Sequence, residues 1–172
     1  MGDYVRYVAV IGSSGKIDER LKKICNDLGK ELGKRYIILS GGRDGVMEEI
    51  AKGVNEVNGK IIGILPFEEQ GNKFNSFEIK TGLDFQMRSF VIIKSADAVI
   101  SIGGEIGTAI EILATYANKK PLILFNGTGG WTDKVQKILI DGKFLDNRRL
   151  VEVKIGNTVE EVLNILKDIL GE

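Results

Sequence analysis

A chain of 172 residues, 43% hydrophobic and 28% charged, has enough apolar material for one sizeable core and enough charge to stay in solution; residues 1–172 are expected to form a single domain. Lys+Arg and Asp+Glu both number 24, so the formal net charge is zero, which argues against a nucleic-acid partner held by phosphates. Histidine is absent, which excludes Ser-His triads, His metal ligands and a His general base.

No apolar run approaches the ~20 residues that span a bilayer, so no membrane partner is expected. Charged and polar residues appear at once in Met1–Arg6, unlike a leader, and the one cysteine permits no internal disulfide. The expected compartment is the cytoplasm.

In chain order, short apolar runs alternate with longer amphipathic ones. Strands are predicted at Val5–Ile11, Tyr36–Leu39, Lys60–Leu65, Ala98–Ile102, Pro121–Phe125 and Leu150–Val153, with a weaker one at Phe77–Lys80. Several are apolar throughout, as in strands buried on both faces of a parallel sheet. Helices are predicted at Asp18–Gly33, Val46–Val57, Phe85–Ser95, Thr108–Asn118, Asp133–Ile140 and Val159–Leu170. Cys25 falls on the apolar stripe Leu21, Ile24, Leu28 and Leu32, which makes it core rather than nucleophile. The longest irregular stretch is Pro66–Ser76, read as a mobile loop. The alternation predicts an α/β fold: a Rossmann-like, doubly wound parallel sheet flanked by helices on both faces.

The 22 glycines cluster after strands. Gly12-Ser13-Ser14-Gly15 follows the first and Ser40-Gly41-Gly42-Arg43-Asp44-Gly45 the second. Gly103-Gly104-Glu105-Ile106-Gly107-Thr108 and Asn126–Gly130 follow two later ones. In an open parallel sheet these ends share one edge, where ligands bind. Glycine allows the backbone to approach a ligand, and the helix starts beyond it offer free N–H groups to an anion. Tight turns alone also need glycine, but four such loops on one edge point to a site for a small phosphate-bearing ligand. The dinucleotide fingerprint and the P-loop are both missing.

Gly103–Glu111 reads Gly-Gly-Glu-Ile-Gly-Thr-Ala-Ile-Glu, which resembles the P-G-G-x-G-T-x-x-E motif of the LOG (SLOG) superfamily. That group contains cytokinin-activating phosphoribohydrolases, proteins labelled lysine decarboxylases, and molybdenum-cofactor carriers. Gly12–Gly15, Ser40–Gly42 with Gly45-Val46-Met47, and Arg88 resemble its other landmarks, and the short length is similar to the branch near the molybdenum-cofactor carriers. Two positions depart from the motif. Gly103 stands at the proline, and Glu105 stands at the second motif glycine, where a carboxylate repels phosphate unless it turns away or meets a cation.

The resemblance implies a nucleotide- or phosphate-ligand-binding carrier or sensor. The ligand would be AMP-like or molybdopterin, bound by Gly12, Ser13, Ser14, Gly41, Gly42, Arg43, Gly103, Gly104, Gly107 and Thr108, with no required cofactor and no metal. The alternative it implies is hydrolysis of the N-glycosidic bond of nucleoside 5′-monophosphates by Arg88 and Glu111. Lysine decarboxylation is the weakest reading, because no residue marks a pyridoxal phosphate lysine.

The residues themselves leave alternatives open. Thr108-x-x-Glu111 is also a capping-box pattern, repeated without a glycine loop at Thr158-x-x-Glu161. Arg88 is either a solvated helix arginine or, on a helix apolar on most sides, a site cation. Asp44 reads as a helix cap, Arg43 as a phosphate ligand or a solvated residue, and Trp131 as a base-stacking residue or a core or interface one. The helices Phe85–Ser95 and Thr108–Asn118 carry more apolar surface than one sheet face covers, which predicts a homodimer through them, as in LOG-like proteins.

Overall fold

The computed structural model describes residues 4–172; Met1–Asp3, the start of the stretch read as unlike a leader, lie outside them. The strands are β1 (Tyr7–Gly12), β2 (Ile37–Ser40), β3 (Lys60–Leu65), β4 (Phe77–Lys80), β5 (Ala98–Ile102), β6 (Leu122–Phe125) and β7 (Lys154–Gly156). The helices are α1 (Glu19–Gly33), α2 (Val46–Glu56), α3 (Phe85–Ser95), α4 (Ile106–Ala117), α5 (Gly130–Lys134) and α6 (Val159–Leu170). The strands make one parallel sheet in the order β4-β3-β2-β1-β5-β6-β7. This is the expected Rossmann-like α/β fold.

Alternation along the strands builds two cores. Val8 and Val10 of β1 pack with Ile38, Ile100 and the apolar stripes of α1, α2 and α6. Ala9 and Ile11 point the other way, with Leu39, Val99, Ile92 and Ile112, under α3 and α4. Each helix buries the stripe its sequence periodicity marks. In α1 that stripe is Leu21, Cys25, Leu28 and Leu32, and Asp18 caps the helix by accepting from the Leu21 N–H at 2.8 Å. Successive strands run outward from β1 to β4 on one side, then restart at β5 beside β1 and run outward to β7. The β1–β5 seam is therefore the topological switch point.

Two predicted elements are corrected. The last strand is Lys154–Gly156, not Leu150–Val153. Val153 instead packs into the second core, and its N–H donates to the Lys143 carbonyl at 2.8 Å, so the more apolar segment fills a gap under a loop. Pairing with β6 falls to the following three residues, Lys154 opposite Ile123, at the sheet edge. The helix predicted at Asp133–Ile140 begins at Gly130 and tightens into a 3₁₀ turn over Val135–Ile138.

Candidate functional site

A cavity of about 140 Å³ opens at the carboxyl ends of β1 and β2, between α3 and α4. Eight of the residues singled out in the sequence line it: Gly12, Ser14, Gly41, Arg43, Arg88, Gly107, Thr108 and Glu111. Gly12 sits at the switch point, where its Cα faces the Ile102 carbonyl so closely that a Cβ would overlap it.

Ser13, Gly42, Gly103 and Gly104 lie outside the cavity lining and tie the loops to one another. The Ser13 hydroxyl accepts from the Gly104 N–H at 2.7 Å, which joins the first loop to the third. The Asn126–Gly130 loop lies behind the third rather than beside the cavity. Gly103 N–H donates to Thr128 Oγ1 at 2.9 Å, Trp131 N–H donates to the Gly104 carbonyl at 2.8 Å, and Thr132 Oγ1 donates to the Gly103 carbonyl at 2.7 Å. Gly104 has φ +94°, and a Cβ there would run into the Thr108 side chain. Gly42 is buried, and its carbonyl takes Asn75 Nδ2 at 2.9 Å.

Trp131 does not line the cavity; its ring carries the Lys134 ammonium at 5.6 Å instead, so the base-stacking expectation has no support here. Asp44 does not cap α2. The N-cap is Gly45, and Asp44 Oδ1 accepts from the Gly15 N–H at 2.9 Å, pinning the first loop to the second.

Arg88 is not a solvated helix arginine. It is 7% exposed, and its Nη1 donates to the carbonyls of Gly41 (2.7 Å) and Ile64 (2.8 Å). Its Nε is buried and without a partner. Burial lowers its pKa, while the Glu111 charge opposes that shift. A buried cation that lines a cavity is a place for an anion.

Glu111 does not belong to a capping box. Helix α4 starts at Ile106, two residues before the predicted start, and Glu105 is its N-cap without a side-chain cap bond. Thr108 is thus already inside the first turn, 3% exposed, and Glu111 lies one turn further in, on the cavity wall. The residue as a whole is half-buried, and burial of its carboxyl pushes the pKa up to about 7; the Arg88 charge and the Ser89 hydroxyl pull the other way. Glu111 therefore exchanges a proton near neutrality. Glu105 is exposed and lies outside the cavity lining, which removes most of its repulsion from an anion bound there.

Sequence reasoning missed Val10, Ile11, Phe85, Gln86, Ser89 and Ile110 as lining residues and named Met47 only as a family landmark; these seven complete the cavity wall. The signal was available: Phe85, Ser89 and Arg88 recur at three- and four-residue spacing on one face of α3.

The model of the SLOG cluster4 family matches residues 5–163. The X-ray structure of TM1055 is 54% identical and superposes with TM-score 0.93 over 95% of this chain and 99% of that one. The molybdenum cofactor carrier protein of Chlamydomonas reinhardtii is 28% identical, with TM-score 0.82 over 98% of this chain and all (100%) of the carrier. A cytokinin riboside 5′-monophosphate phosphoribohydrolase of Arabidopsis thaliana is 25% identical over 92% of this chain and 80% of the enzyme. In several further plant relatives the chain spans only 50–64% of the relative's length. On the match over residues 5–163, the chain belongs to the SLOG cluster4 family.

Proposed function

We propose that this protein binds a small phosphate-bearing ligand, an AMP-like nucleotide or molybdopterin, in the cavity between α3 and α4, and acts as a carrier or sensor. The observation that carries this reading is the buried Arg88, a cation whose side chain lines the cavity. Gly12, Ser14, Gly41, Gly107 and Thr108 provide close backbone approach on the remaining sides, and Arg43 supplies a second cation. Ser13, Gly42, Gly103 and Gly104 set the shape of these loops rather than touching the ligand. The likeness to a molybdenum cofactor carrier over nearly the whole chain supports the carrier reading.

Glu111 favours a second reading, hydrolysis of nucleoside 5′-monophosphates. The reaction adds water across the N-glycosidic bond: the ribose C1′–N bond breaks, the water oxygen bonds to C1′, and a proton passes to the departing base. Charge builds on the sugar as the bond breaks. A carboxyl whose pKa lies at about 7 is suited to take or give that proton, and Arg88 would hold the phosphate.

The test is incubation with AMP and other nucleoside monophosphates. Free base that disappears in Glu111→Ala, with the fold intact, establishes the hydrolase. Saturable binding with no turnover establishes the carrier or sensor. Binding by neither measure rejects both.

The cavity is smaller than the roughly 300 Å³ at which pockets begin to enclose whole drug-sized ligands, so part of a nucleotide would stand outside it. Beside the mouth, Met87 (52% exposed), Ile106 (63%) and Leu113 (53%) leave apolar surface on α3 and α4. Our reading is that a second copy covers this surface as a homodimer. A monomer by light scattering at micromolar concentration would reject it. Among the described residues no helix is long and apolar enough to cross a membrane. The unpaired, buried Cys25 suits a reducing compartment, and we place the protein in the cytoplasm.

A further inference from the structure

Arg43 is held by two parts of the molecule at once. Its backbone carbonyl accepts from Asn72 Nδ2 at 2.7 Å, which fixes the main chain. Its side chain lines the cavity, its guanidinium lies over the Phe85 ring at 4.9 Å, and its Nε pairs with Glu69 Oε2 at 3.1 Å. Glu69 belongs to the Pro66–Ser76 segment, which forms a strap beside the mouth.

The two ends of the strap are well fixed. Phe67 N–H donates to the Leu83 carbonyl at 2.7 Å and its ring meets Phe85 edge-on at 5.7 Å, while Asn72 and Asn75 bond the Gly42 carbonyl. Between these anchors, the Glu69 side chain ties the strap to the cavity through Arg43. Both partners of that ion pair are 36% exposed, so the pair is weak.

We infer that Arg43 is shared between Glu69 and the bound phosphate, so that ligand capture and release of the strap are one event. The inference rests on the phosphate-ligand reading of the cavity. A phosphate carries more negative charge than the Glu69 carboxylate and matches the forked guanidinium donors. Rotation of the Arg43 side chain over the Phe85 face exchanges one anion for the other without moving its backbone. Glu69 is then left facing the ligand's negative charge, and the strap between its anchors loosens. Glu69 is a positioning residue: it holds Arg43 away from the ligand and sets how much phosphate is needed to free it. In a sensor, the loosened strap is the signal.

The experiment compares the wild type, Glu69→Gln and Arg43→Gln by calorimetry with AMP and with inorganic phosphate. Amide hydrogen exchange is read at Glu68–Gly71. Glu69→Gln binds AMP roughly two- to fivefold more tightly, the range set by an exposed ion pair. Arg43→Gln binds more weakly than the wild type. Saturating AMP speeds exchange of the strap in the wild type and leaves it unchanged in Arg43→Gln, where the strap is already loose. Glu69→Gln binding AMP equally or less tightly, or strap exchange unchanged or slowed by AMP in the wild type, overturns the inference and leaves the binding reading standing. Failure of the wild type and Glu69→Gln alike to bind either probe rejects the reading of the cavity, and the inference with it.

Discussion

Thr108–Glu111 and Thr158–Glu161 carry the same Thr-x-x-Glu pattern at the start of a helix, and the fold uses them in opposite ways. In α6, Thr158 is the N-cap: its Oγ1 accepts from the Glu161 N–H at 3.1 Å, and Glu161 Oε2 accepts from the Asn157 N–H at 2.7 Å in solvent. The bonds from the Asn157 backbone and side-chain N–H groups hold the Glu161 carboxyl below the usual carboxylate range. In α4 the helix has already begun at Ile106, so Thr108 is buried and Glu111 turns toward Arg88 with its pKa raised to about 7. The Gly103-Gly104 turn makes the difference. With φ of +59° and +94°, and Thr132 and Trp131 bonded to their carbonyls, these residues direct the chain into a helix two residues early. A helical register shift of two residues moves a side chain by more than half a turn, enough to take a capping glutamate from solvent to a cavity wall.

The largest effect that separates the two segments comes from Arg88, which has no counterpart beside Glu161. Arg88→Ala leaves the buried carbonyls of Gly41 and Ile64 without a donor, and it is expected to cost about 3 kcal/mol in urea unfolding. It is also expected to abolish the proposed AMP binding in calorimetry.

Next in size is a pH effect of opposite sign at the two glutamates. The folded-state pKa of Glu111 lies above its unfolded value, so the folded protein binds the extra proton. Stability falls as pH rises from about 4.5 through 7, and the full penalty is present above that window. Glu111→Gln removes this dependence, and at pH 8 it unfolds at higher urea than the wild type, by up to about 3 kcal/mol. A variant that is no more stable at pH 8 than the wild type would show that Glu111 is not desolvated.

Thr158→Ala costs about 1 kcal/mol by removing a real cap, and Thr158→Asp keeps nearly all of the stability. Thr108→Asp differs, because it buries a second carboxylate beside the cavity. Thermal melts of the pair in parallel decide the point. The smallest effect is that of Glu161→Gln. Its pKa is lowered, so its contribution is present above the ordinary carboxylate range and is lost as pH falls through the folded value. The change in melting temperature is expected to be slight, present near pH 7 and fading in acid, where the wild-type carboxyl is itself protonated.

These contrasts also define what was legible in the sequence. The buried strands were legible because β6 is apolar at every position and β5 at all but Ser101, a pattern that two-sided burial explains. So was the α6 cap, which local chemistry decides. The α4 start was not, because it depends on Thr128, Trp131 and Thr132 bonding back to Gly103 and Gly104 from more than 20 residues away. The last strand was misplaced for a similar reason. Leu150–Val153 is the more apolar segment, but the core under the Asp141–Arg149 loop takes it, and a three-residue edge strand needs little hydrophobicity. Glu111 was named through the family motif and Arg88 through its other landmarks, and both line the cavity. Ser89, Met47 and Phe85 belong to the same wall and required the helix faces to be seen together.

The most direct measurement is a carbon-13 NMR titration of the glutamate side-chain carboxyls, with and without AMP. In the free protein Glu111 should titrate near pH 7, well apart from Glu161, which should titrate below the ordinary carboxylate range. Saturating AMP should move the Glu111 resonance and its midpoint while leaving Glu161 where it was. A Glu111 that titrates alongside the exposed glutamates and is unmoved by AMP would contradict the assignment of this cavity as the ligand site.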